Sequence, residues 1–475
     1  MRFPLNTLRI TLVTLLAYAP AHAAAEDATR KALFDIYREL VEINTTASVG
    51  DTTVAAKAMA KRLIDAGLPA QDVQVIVPPG KAKKGNLVAR LRGSGSAGKP
   101  ILLLAHLDVV EAKQEDWSPD IQPFKLTERE GFYYGRGSID DKAMAAIFVA
   151  NLIRYHKERV PLQRDLIVAL TADEEGGPDN GAAYLLEQHR SLVDAAFGLN
   201  EGGGGRAQKG KLLYNGVQAS EKLYRDFELE VTSAGGHSSL PVPDNAIYTL
   251  ARGLERLSKH SFPVHLNSAS RGFFERSARI LTGQVAKDMK SIATQATPNS
   301  AAVARLSQTA LYNSMLRTTC VATQVQAGHA PNALPQRATA NVNCRIVPGE
   351  TPADVQGVLQ KVLADPKIAL RLKPSAREDG PNSPSPLSDE IMKPIEELTQ
   401  AQWPGVITIS LMGTGATDSR YFRGAGIPMY GVSGIFSDID DVRIHGKDER
   451  IGVQEFYAGQ EFLYRLVKRY AGVQP

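Results

Sequence analysis

The 475-residue sequence contains only two cysteines, Cys320 and Cys344. So few exclude a disulfide-rich scaffold, and the pair lacks the further histidine and cysteine ligands that a four-coordinate zinc ion needs. Both cysteines lie in strand-like runs that flank a turn-rich stretch. We therefore predict that they pair in an oxidising compartment, with two separate buried thiols as the alternative.

Long apolar runs are missing after the N-terminus, so we expect no membrane span. The N-terminus itself has the pattern of a signal peptide. Arg2 and Arg9 provide positive charge, residues 10–19 form a short apolar core, and Ala21–Ala23 fits the small-x-small cleavage motif. A buried first helix or a membrane anchor is the alternative, but the apolar core is too short to span a bilayer. We predict that residues 1–23 are removed and that the mature protein is exported, periplasmic or secreted, and not attached to a membrane.

A strong net charge is also absent. The formal charge is +4, and it becomes +2 when Arg2 and Arg9 are subtracted. Lysines and arginines are spread along the chain, so we expect no nucleic-acid partner. The sequence has no Gly-x-Ser-x-Gly motif, which argues against a serine hydrolase of the nucleophile-elbow type. Its length favours two domains, and its 43% of hydrophobic residues is typical of a globular chain.

Strand and helix signals alternate through the first 200 residues. Apolar residues recur at helical spacing between residues 26 and 70. The alternation that follows is typical of a three-layer α/β domain with a mixed or mostly parallel sheet. The predicted elements are the strands Asn86–Arg92, Ile101–Ala105 and Asp165–Leu170 and the helices Ala143–Tyr155 and Asn180–Gln188.

The pattern changes near Ser220 to the order β-α-β-β-α-β, which predicts a ferredoxin-like α+β sandwich. A polar, Ala/Ser-rich insertion at about 260–312 interrupts it, and the Pro/Ser-rich residues 380–387 have the composition of a linker. We predict a catalytic domain of residues 24–217 and 379–475, with residues 218–378 inserted into it. The predicted elements of the inserted domain are the strands Tyr224–Val231, Met315–Val325, Ala338–Val347 and Ile368–Leu372 and the helices Asn245–Leu257 and Asp354–Leu363.

Histidine and acidic residues follow three predicted buried strands. His106 and Asp108 follow one strand, Glu174 and Glu175 follow another, and Glu201 follows the third. Open α/β sheets build their sites at such strand ends. Each residue alone has an ordinary explanation, as a packed histidine or a solvated acid. Together, histidine, aspartate and glutamate are the ligand types that Zn²⁺ takes. The side chains of neighbouring glutamates in extended backbone point in opposite directions, so one can bind metal while the other faces substrate.

Two further groups carry acids or a histidine. In Tyr134–Lys142, glycines allow a close backbone approach, and Asp140 or Asp141 then stands at a predicted helix start. A carboxylate there either caps free N–H groups or binds a ligand. The second group is His445–Arg450, near the C-terminus.

Six stretches, in order, resemble the M20 family of metallopeptidases, which includes carboxypeptidases, dipeptidases and aminoacylases. The resemblance spans essentially the whole mature chain. It implies a three-layer α/β zinc-hydrolase catalytic domain with an inserted ferredoxin-like lid domain, through which a homodimer would form. The matching stretches are His106–Val110, Tyr134–Lys142, Asp173–Gly176, Asn200–Gly203, Gly235–Ser238 and His445–Arg450.

The resemblance also implies a centre of two divalent metal ions, expected to be Zn²⁺. Asp140 is preferred to Asp141 because the family pattern is Asp-x-Lys and Lys142 fixes the frame. Ala143 stands where the family usually has glycine, and this difference does not change any of the implied ligands. Asn200 stands where the family often has aspartate, which favours the next residue as the ligand. The implied ligands are His106 and Glu201 for one ion, Glu175 and His445 for the other, and Asp140 as the bridge.

Catalytic roles follow from the same resemblance. Asp108 would orient His106, and Glu174 would be the general base that moves a proton from water to the leaving amine. His237, in the lid, would reach an active site, often that of the partner subunit, and donate to the developing oxyanion. A structural turn histidine is the alternative.

Asn332 and Arg345 resemble the pair that holds the substrate carboxylate. The guanidinium fork suits this because it can bind a carboxylate through two hydrogen bonds. A strand arginine in a surface ion pair is the alternative for Arg345.

The sequence therefore predicts an exported, dinuclear metal-dependent hydrolase of a peptide or amide bond next to a free carboxylate, acting as a carboxypeptidase or dipeptidase. The alternative is an N-acyl amino acid hydrolase, which uses the same centre on a different acyl group. A third hypothesis is an exported metal-binding protein without catalysis. The presence of Glu174 argues against it, because metal binding does not need this residue.

Overall fold

The computed structural model of the chain describes residues 18–374 and 382–473. Residues 1–17 of the predicted signal peptide and residues 380–381 of the predicted linker lie outside this part. The first helix begins at Tyr18, so the predicted cleavage motif Ala21–Ala23 falls within a helical segment. Within the described part, no helix combines the length and the apolarity needed to cross a membrane. Export stays a prediction.

The described chain contains α-helices throughout its length, together with the short 3₁₀ turns Ala70–Asp72 and Gln114–Asp116. The helices are α1 (Tyr18–Glu42), α2 (Thr52–Asp65), α3 (Lys142–Lys157), α4 (Gly181–Gln188), α5 (Arg190–Val193), α6 (Ala246–Lys259), α7 (Ser268–Ile280), α8 (Gly283–Thr294), α9 (Ser300–Leu306), α10 (Ala310–Leu316), α11 (Pro352–Leu363), α12 (Asp389–Gln402), α13 (Ser419–Gly424) and α14 (Val453–Tyr470).

The strands belong to a ten-stranded sheet, a four-stranded sheet, a three-stranded sheet and a two-stranded sheet. They are β1 (Val73–Ile76), β2 (Asn86–Leu91), β3 (Ile101–His106), β4 (Thr127–Arg129), β5 (Phe132–Tyr134), β6 (Leu166–Thr171), β7 (Phe197–Asn200), β8 (Gly205–Gln208), β9 (Lys211–Glu221), β10 (Leu223–Thr232), β11 (Gly236–His237), β12 (Thr319–Ala327), β13 (Ala333–Leu334), β14 (Arg337–Ile346), β15 (Ala369–Leu372), β16 (Ile407–Gly413), β17 (Met429–Gly431), β18 (Phe436–Asp438) and β19 (Arg450–Gly452).

A ten-stranded mixed sheet forms the centre of the large domain, in the order β1-β2-β6-β3-β7-β17-β9-β8-β18 with β16 also paired to β9. The central strands β6, β3, β7 and β17 run parallel. Their side chains alternate between two cores: Leu103 and Ala105 pack with α1 and α3, whereas Leu102 and Leu104 pack with α4 and α13. Helices therefore cover both faces, which confirms the three-layer α/β prediction.

The smaller sheet has the order β12-β14-β10-β15, and every neighbouring pair is antiparallel. Helices α6 and α11 pack on one face of this sheet through their own apolar core. The sequence order β-α-β-β-α-β gives the predicted ferredoxin-like sandwich. The chain enters it after β9 and returns to the large sheet at β16, so the sandwich is inserted. The predicted limits at residues 217 and 379 stay predictions.

The insertion at about 260–312 is helical. Its helices α7 to α10 share the core of the large sheet, where Phe274 is fully buried. Ser410 in β16 donates a hydrogen bond to the carbonyl of Ala269 in α7 over 3.1 Å. Although the insertion falls inside the range 218–378 predicted for the lid, it packs against the large domain.

Cys320 and Cys344 form a disulfide between paired positions of β12 and β14. Cys344 is fully buried in the lid core. The predicted pairing is thus confirmed, and the disulfide joins the edge strand of the lid sheet to its neighbour.

Candidate active site

Four of the predicted site residues lie at the carboxyl ends of neighbouring parallel strands. His106 is the last residue of β3, Glu174 and Glu175 follow β6, and Glu201 follows β7. Because these strands are adjacent and parallel, their ends meet at one edge of the sheet. The strands themselves are buried, so the first polar side chains after them lie together at this edge.

His106 is buried and fixed through both ring nitrogens. Its Nδ1 donates to the backbone carbonyl of Asp108 over 2.9 Å, which leaves Nε2 directed at Asp140, 3.0 Å away, and at Glu201, 3.8 Å away. Burial lowers the pKa of His106, but the hydrogen bond and charge of Asp140 and the charge of Glu201 raise it well above its ordinary value.

His445 faces the other oxygen of Asp140. Its Nε2 lies 3.1 Å from Asp140 Oδ2 and 2.9 Å from Glu175 Oε2. Hydrogen bonds to Asp140 and Glu175 raise the pKa of His445 to about 10. His445 has a left-handed backbone with φ of 61°, a conformation that non-glycine residues rarely adopt and that is common at functional sites. Asp140 is therefore placed between two histidines, one on each carboxylate oxygen.

The donor set fits divalent cations. Two overlapping groups of side chains each place one ligand atom per member within 4.8 Å of the others: His106 with Asp140 and Glu175, and His106 with Glu174 and Glu201. Both groups contain His106, so they are alternative sets of ligands for one ion. Burial and mutual repulsion raise the pKa values of Glu174 and Glu201 well above the ordinary value. Such crowding of carboxylates is costly unless positive charge compensates it, and metal ions would replace the protons that the histidines otherwise bear.

The comparison with protein families gives a match to the peptidase family M20/M25/M40 over residues 102–469. The chain belongs to this M20 family. Human N-fatty-acyl-amino acid synthase/hydrolase PM20D1 is 30% identical over 387 residues, which cover 80% of this chain and 75% of the human protein.

Two further comparisons agree with the M20 assignment. A probable carboxypeptidase S-like protein of Dictyostelium discoideum is 26% identical over 402 residues, covering 81% of this chain and 74% of that protein. The crystal structure of an M20 family metallo-carboxypeptidase from Sulfolobus solfataricus aligns with a TM-score of 0.68 at 16% identity, covering 93% of this chain and 99% of that one. The chain is thus a hydrolase of the M20 type, with the M20 fold.

Asp108 supports the M20 site differently from the sequence prediction. Its carboxylate was expected to orient His106, but the closest carboxylate oxygen is 3.8 Å from Nδ1, and the Asp108 carbonyl is the hydrogen-bond acceptor. The carboxylate instead accepts the backbone N–H groups of Glu174 over 3.1 Å and Glu175 over 3.0 Å. Burial, partly offset by the charge of His106, raises the pKa of Asp108 to about 6. Asp108 thereby fixes the loop that presents the predicted base.

Asp141 and Lys142 support the site from beneath. The carboxylate of Asp141 accepts the backbone N–H of His106 over 3.3 Å, and the peptide bond between Asp140 and Asp141 is cis. Lys142 is fully buried and donates to the carbonyl of Ile43 over 2.8 Å. Asp140, the predicted bridge, thus points into the cluster, while Asp141 bonds the strand that carries His106.

Glu449 is a site residue that sequence reasoning missed, although it lies in a stretch that matches the family. It is fully buried, and its carboxylate accepts the backbone N–H groups of Gly137, Ile139 and Asp140 over 2.9–3.2 Å. Arg136 donates to the same carboxylate over 2.7 Å. The sequence pointed to Glu449 only through its place in the matching stretch His445–Arg450. A single charged residue near the C-terminus is ordinarily exposed to solvent, so its burial was not predicted.

His237 lies in the short strand β11, which pairs with β13, and it is exposed. Its Nδ1 accepts a hydrogen bond from the Ser239 hydroxyl over 2.7 Å. Asn332 is its neighbour, because the carbonyl of Asn332 accepts the N–H of Ser238 over 3.1 Å. Within the described residues, no hydrogen bond or ion pair joins His237 to the metal-ligand cluster of its own chain.

Arg345 lies in β14, half-buried, with its guanidinium 4.6 Å from the ring centre of Tyr224. In residues 18–374 and 382–473, no carboxylate lies within ion-pair distance of Arg345, which disfavours the surface ion pair considered from the sequence. Burial lowers the pKa of Arg345, Tyr224 and the charge of Asp226 oppose this effect, and the charge of Arg420 adds to it. Arg420 belongs to α13 of the large domain, so a cation of the large domain acts on an arginine of the lid.

Proposed function

We propose that the chain hydrolyses the amide bond that joins an acyl group to an amino acid with a free carboxylate, using two divalent metal ions. One observation is the main support: Asp140 stands between His106 and His445, with Glu201 near the first histidine and Glu175 beside the second. Zinc is the proposed ion because imidazole nitrogen and carboxylate oxygen are its usual ligands in catalytic sites.

The residues that would hold the ions are those predicted from the sequence. His106 and Glu201 would bind one ion, Glu175 and His445 the other, and Asp140 both. Bound divalent ions supply positive charge that polarises the scissile carbonyl and lowers the pKa of an attacking water. Nδ1 of His106 carries a proton, which it donates in a hydrogen bond to the Asp108 carbonyl. Nε2 can therefore act as the metal ligand.

Glu174 is the proposed general base. Burial raises its pKa well above the ordinary value of a glutamate, which favours a carboxylate that accepts a proton from water and then donates it to the leaving amine. The hydrogen bond from its backbone N–H to Asp108 fixes its position. A base must be held within hydrogen-bond distance of the proton it takes. The bonds from the backbone N–H groups of Glu174 and Glu175 to Asp108 restrain the loop that carries this base.

Arg345 is the proposed anchor for the substrate carboxylate, and Asn332 and His237 are proposed to complete a site across a dimer. Arg345 presents a planar fork without an acidic partner in the described chain. Asn332 and His237 are exposed neighbours in the lid, as residues that reach a second subunit must be. A homodimer through the lid is therefore part of the proposal, as is export to the periplasm or the medium after removal of residues 1–23.

N-acyl amino acids are the first candidate substrates, and peptides are the second. The sequence alone placed peptides first. The relative of higher identity is named for N-fatty-acyl amino acids, whereas the peptidase candidate rests on a relative of 26% identity named as a probable carboxypeptidase. Both reactions use the same centre and differ only in the group on the acyl side.

The test is a substrate panel with purified wild-type protein and the Glu174→Gln variant. The panel compares N-acyl amino acids with dipeptides that carry the same C-terminal amino acid. Elemental analysis measures the metal content of each protein. We expect hydrolysis of N-acyl amino acids, a decrease in kcat of about 10²–10⁴-fold in Glu174→Gln, and unchanged metal content. Glu187→Gln, an exposed glutamate of α4, is the matched control.

Each result decides one part of the proposal. Hydrolysis of dipeptides alone would select the carboxypeptidase or dipeptidase function. Undiminished turnover in Glu174→Gln would overturn the assignment of the base. Metal binding without hydrolysis of any amide would favour the non-catalytic metal-binding hypothesis.

A further inference from the structure

An arginine lines a cavity of about 180 Å³ beside the proposed metal ligands. The acids Asp140, Asp141 and Glu201 form one part of the wall, and Arg206 lies in the wall as well. The rest of the wall consists of apolar side chains, glycines and the hydroxyl residues Ser433 and Ser437. Because Asp140 and Glu201 are proposed ligands, a substrate whose carbonyl reaches the ions has this cavity, with its positive charge, directly beside it.

Neighbouring strands hold the side chain of Arg206 in place. Arg206 lies in β8, where Tyr214 of β9 and Ser437 of β18 are its partners in the pairing register. Residues directly opposite each other in a sheet point to the same face, so these three side chains lie side by side. Nη1 of Arg206 donates to the Ser437 hydroxyl over 2.7 Å. This bond fixes the direction of the guanidinium at the cavity wall.

Four consecutive glycines, residues 202–205, separate Arg206 from the proposed ligand Glu201. A Cβ at Gly203 would collide with the backbone carbonyl of Gly431, and a Cβ at Gly205 would collide with the ring of Phe436. Glycine is therefore required for the close approach of this segment to the neighbouring strands. As a result, Arg206 is the first residue after Glu201 that carries a side chain.

The charge of Arg206 has no acidic partner among the residues that the structure describes, although the side chain is half-buried. The acids of the cavity wall face elsewhere. Asp140 and Glu201 are directed at Nε2 of His106, and Asp141 accepts the backbone N–H of that histidine over 3.3 Å. Because a guanidinium stays charged at every ordinary pH, the wall carries a positive charge with which an anionic ligand can pair.

We infer that Arg206 binds a carboxylate at the end of a short acyl group, so that preferred substrates carry a second carboxylate on the acyl side of the scissile bond. This inference rests on the proposed function and adds to it the class of acyl group and a specificity-determining residue. The carboxylate of the amino acid is proposed to lie on Arg345, so each carboxylate of the substrate has its own arginine.

The chemistry of the cavity supports this class of acyl group. A guanidinium binds a carboxylate through two parallel hydrogen bonds. The cavity of about 180 Å³ is smaller than the roughly 300 Å³ at which pockets for drug-sized ligands begin, so the acyl group that fills it is short. A dicarboxylic acyl group and an acidic N-terminal residue of a dipeptide both present a carboxylate at this distance from the scissile carbonyl.

The experiment compares acyl groups of the same shape with and without a carboxylate. Succinyl and 4-methylpentanoyl derivatives of one amino acid form the first pair. Aspartyl and leucyl dipeptides with that amino acid at the C-terminus form the second pair. The readout is the ratio of kcat/KM within each pair, for the wild type, Arg206→Gln and Arg206→Lys. Because both members of a pair are measured on the same protein, a smaller folded fraction in a variant does not change the ratio.

We expect the wild type to prefer the carboxylate-bearing member of a pair. Arg206→Gln should lower that ratio about 10–100-fold, as the loss of hydrogen bonds between charged groups does. Arg206→Lys keeps the charge without the planar fork, so its ratio should lie between those of the other two proteins. Arg159→Gln, at an exposed position, is the matched control and should leave the ratios unchanged. A response in the first pair alone assigns a dicarboxylic acyl group, and a response in the second alone assigns an acidic dipeptide.

A second measurement does not depend on turnover. In calorimetry with the metal-containing protein, succinate should bind more tightly than 4-methylpentanoate to the wild type, and Arg206→Gln should remove this difference. Hydrolysis with ratios that Arg206→Gln leaves unchanged would overturn the role of Arg206 while leaving the proposed function intact. Hydrolysis of no substrate in either pair would instead overturn the proposed function, and the inference with it.

Discussion

Arg136 and Glu449 form an ion pair of 2.7 Å between two side chains that are both almost completely buried. The pair joins two loops of the site. Arg136 also lies 3.4 Å from the carbonyl of His445, and Glu449 accepts the N–H of Asp140. Through this pair, the proposed bridging ligand and the proposed C-terminal ligand are held against each other, although more than 300 positions separate them in the chain.

We predict that Glu449→Gln lowers metal affinity about 10–100-fold, as loss of a residue that orients ligands does. It should also lower the free energy of unfolding by about 3–5 kcal/mol, because the Arg136 charge stays buried without its partner. Competition with a chromogenic chelator measures the affinity, and urea unfolding of the metal-free protein measures the stability.

The control for this variant is Glu275→Gln, which removes an exposed acid paired with Arg279 on α7. Exposed pairs contribute little, so neither quantity should change by more than about 1 kcal/mol. If Glu449→Gln lost stability but bound metal as tightly as the wild type, Glu449 would support the fold without positioning the ligands.

The fold was largely predictable because its patterns are local. The buried strand predicted at Ile101–Ala105 occurs and is one residue longer at its end. The helix predicted at Ala143–Tyr155 also occurs, and it begins one residue earlier and ends two residues later. The insertion at about 260–312 was not predictable in the same way. Its first helix, α7, packs against β16, a strand more than 100 residues later in the chain, and a polar composition does not reveal which domain such a segment covers.

The site was predictable where a motif fixed the residue type, and not where backbone hydrogen bonds decide the role. His106, Asp140 and His445 converge as the resemblance implied. The partners of Asp108 and Glu449 are mostly backbone N–H groups, which every residue possesses, so no sequence pattern identifies them.

Metal removal provides the next prediction. We expect about two ions per chain, loss of activity on chelation, and a lower Tm for the metal-free protein, because buried carboxylates then repel one another. Asp140→Asn should bind fewer ions than the wild type, since the bridge serves both. Elemental analysis and calorimetry provide the readouts. Asp65→Asn, an exposed acid paired with Lys61, is the control. Retention of two tightly bound ions in Asp140→Asn would contradict the bridging role.

His237 allows a test of the proposed dimer. If it serves the partner's site, Glu174→Gln and His237→Ala proteins should each be nearly inactive alone. Mixing equal amounts and allowing exchange should restore roughly a quarter of the wild-type rate, because half of the dimers then contain one intact site. Sedimentation confirms the dimer. A monomeric protein, or the absence of recovery after proven exchange, would contradict a role across subunits.

Lys222 is a buried cation at the point where the chain passes from β9 into the lid. Its side chain is 1% exposed, and Nζ donates to the Thr319 hydroxyl over 3.1 Å. Burial, together with the charge of Arg345, lowers its pKa from 10.5 to about 7, with Glu350 opposing this effect. A charged lysine in this position therefore costs folding free energy at neutral and acidic pH.

The pH dependence of stability should reveal this lysine. Below about pH 7 Lys222 is protonated in both the folded and the unfolded protein, so the full cost of burying its charge lowers the stability. Between about pH 7 and 10.5 only the unfolded state binds this proton, so the free energy of unfolding rises with pH. The gain is at most about 4 kcal/mol by pH 10, since one pKa unit is about 1.4 kcal/mol. We predict that Lys222→Met is more stable than the wild type at pH 6 and that this advantage shrinks towards pH 10 in urea unfolding. Lys361→Met, at an exposed position of α11, should show no such convergence. A constant difference between Lys222→Met and the wild type across this range would mean that Lys222 stays charged in the folded protein.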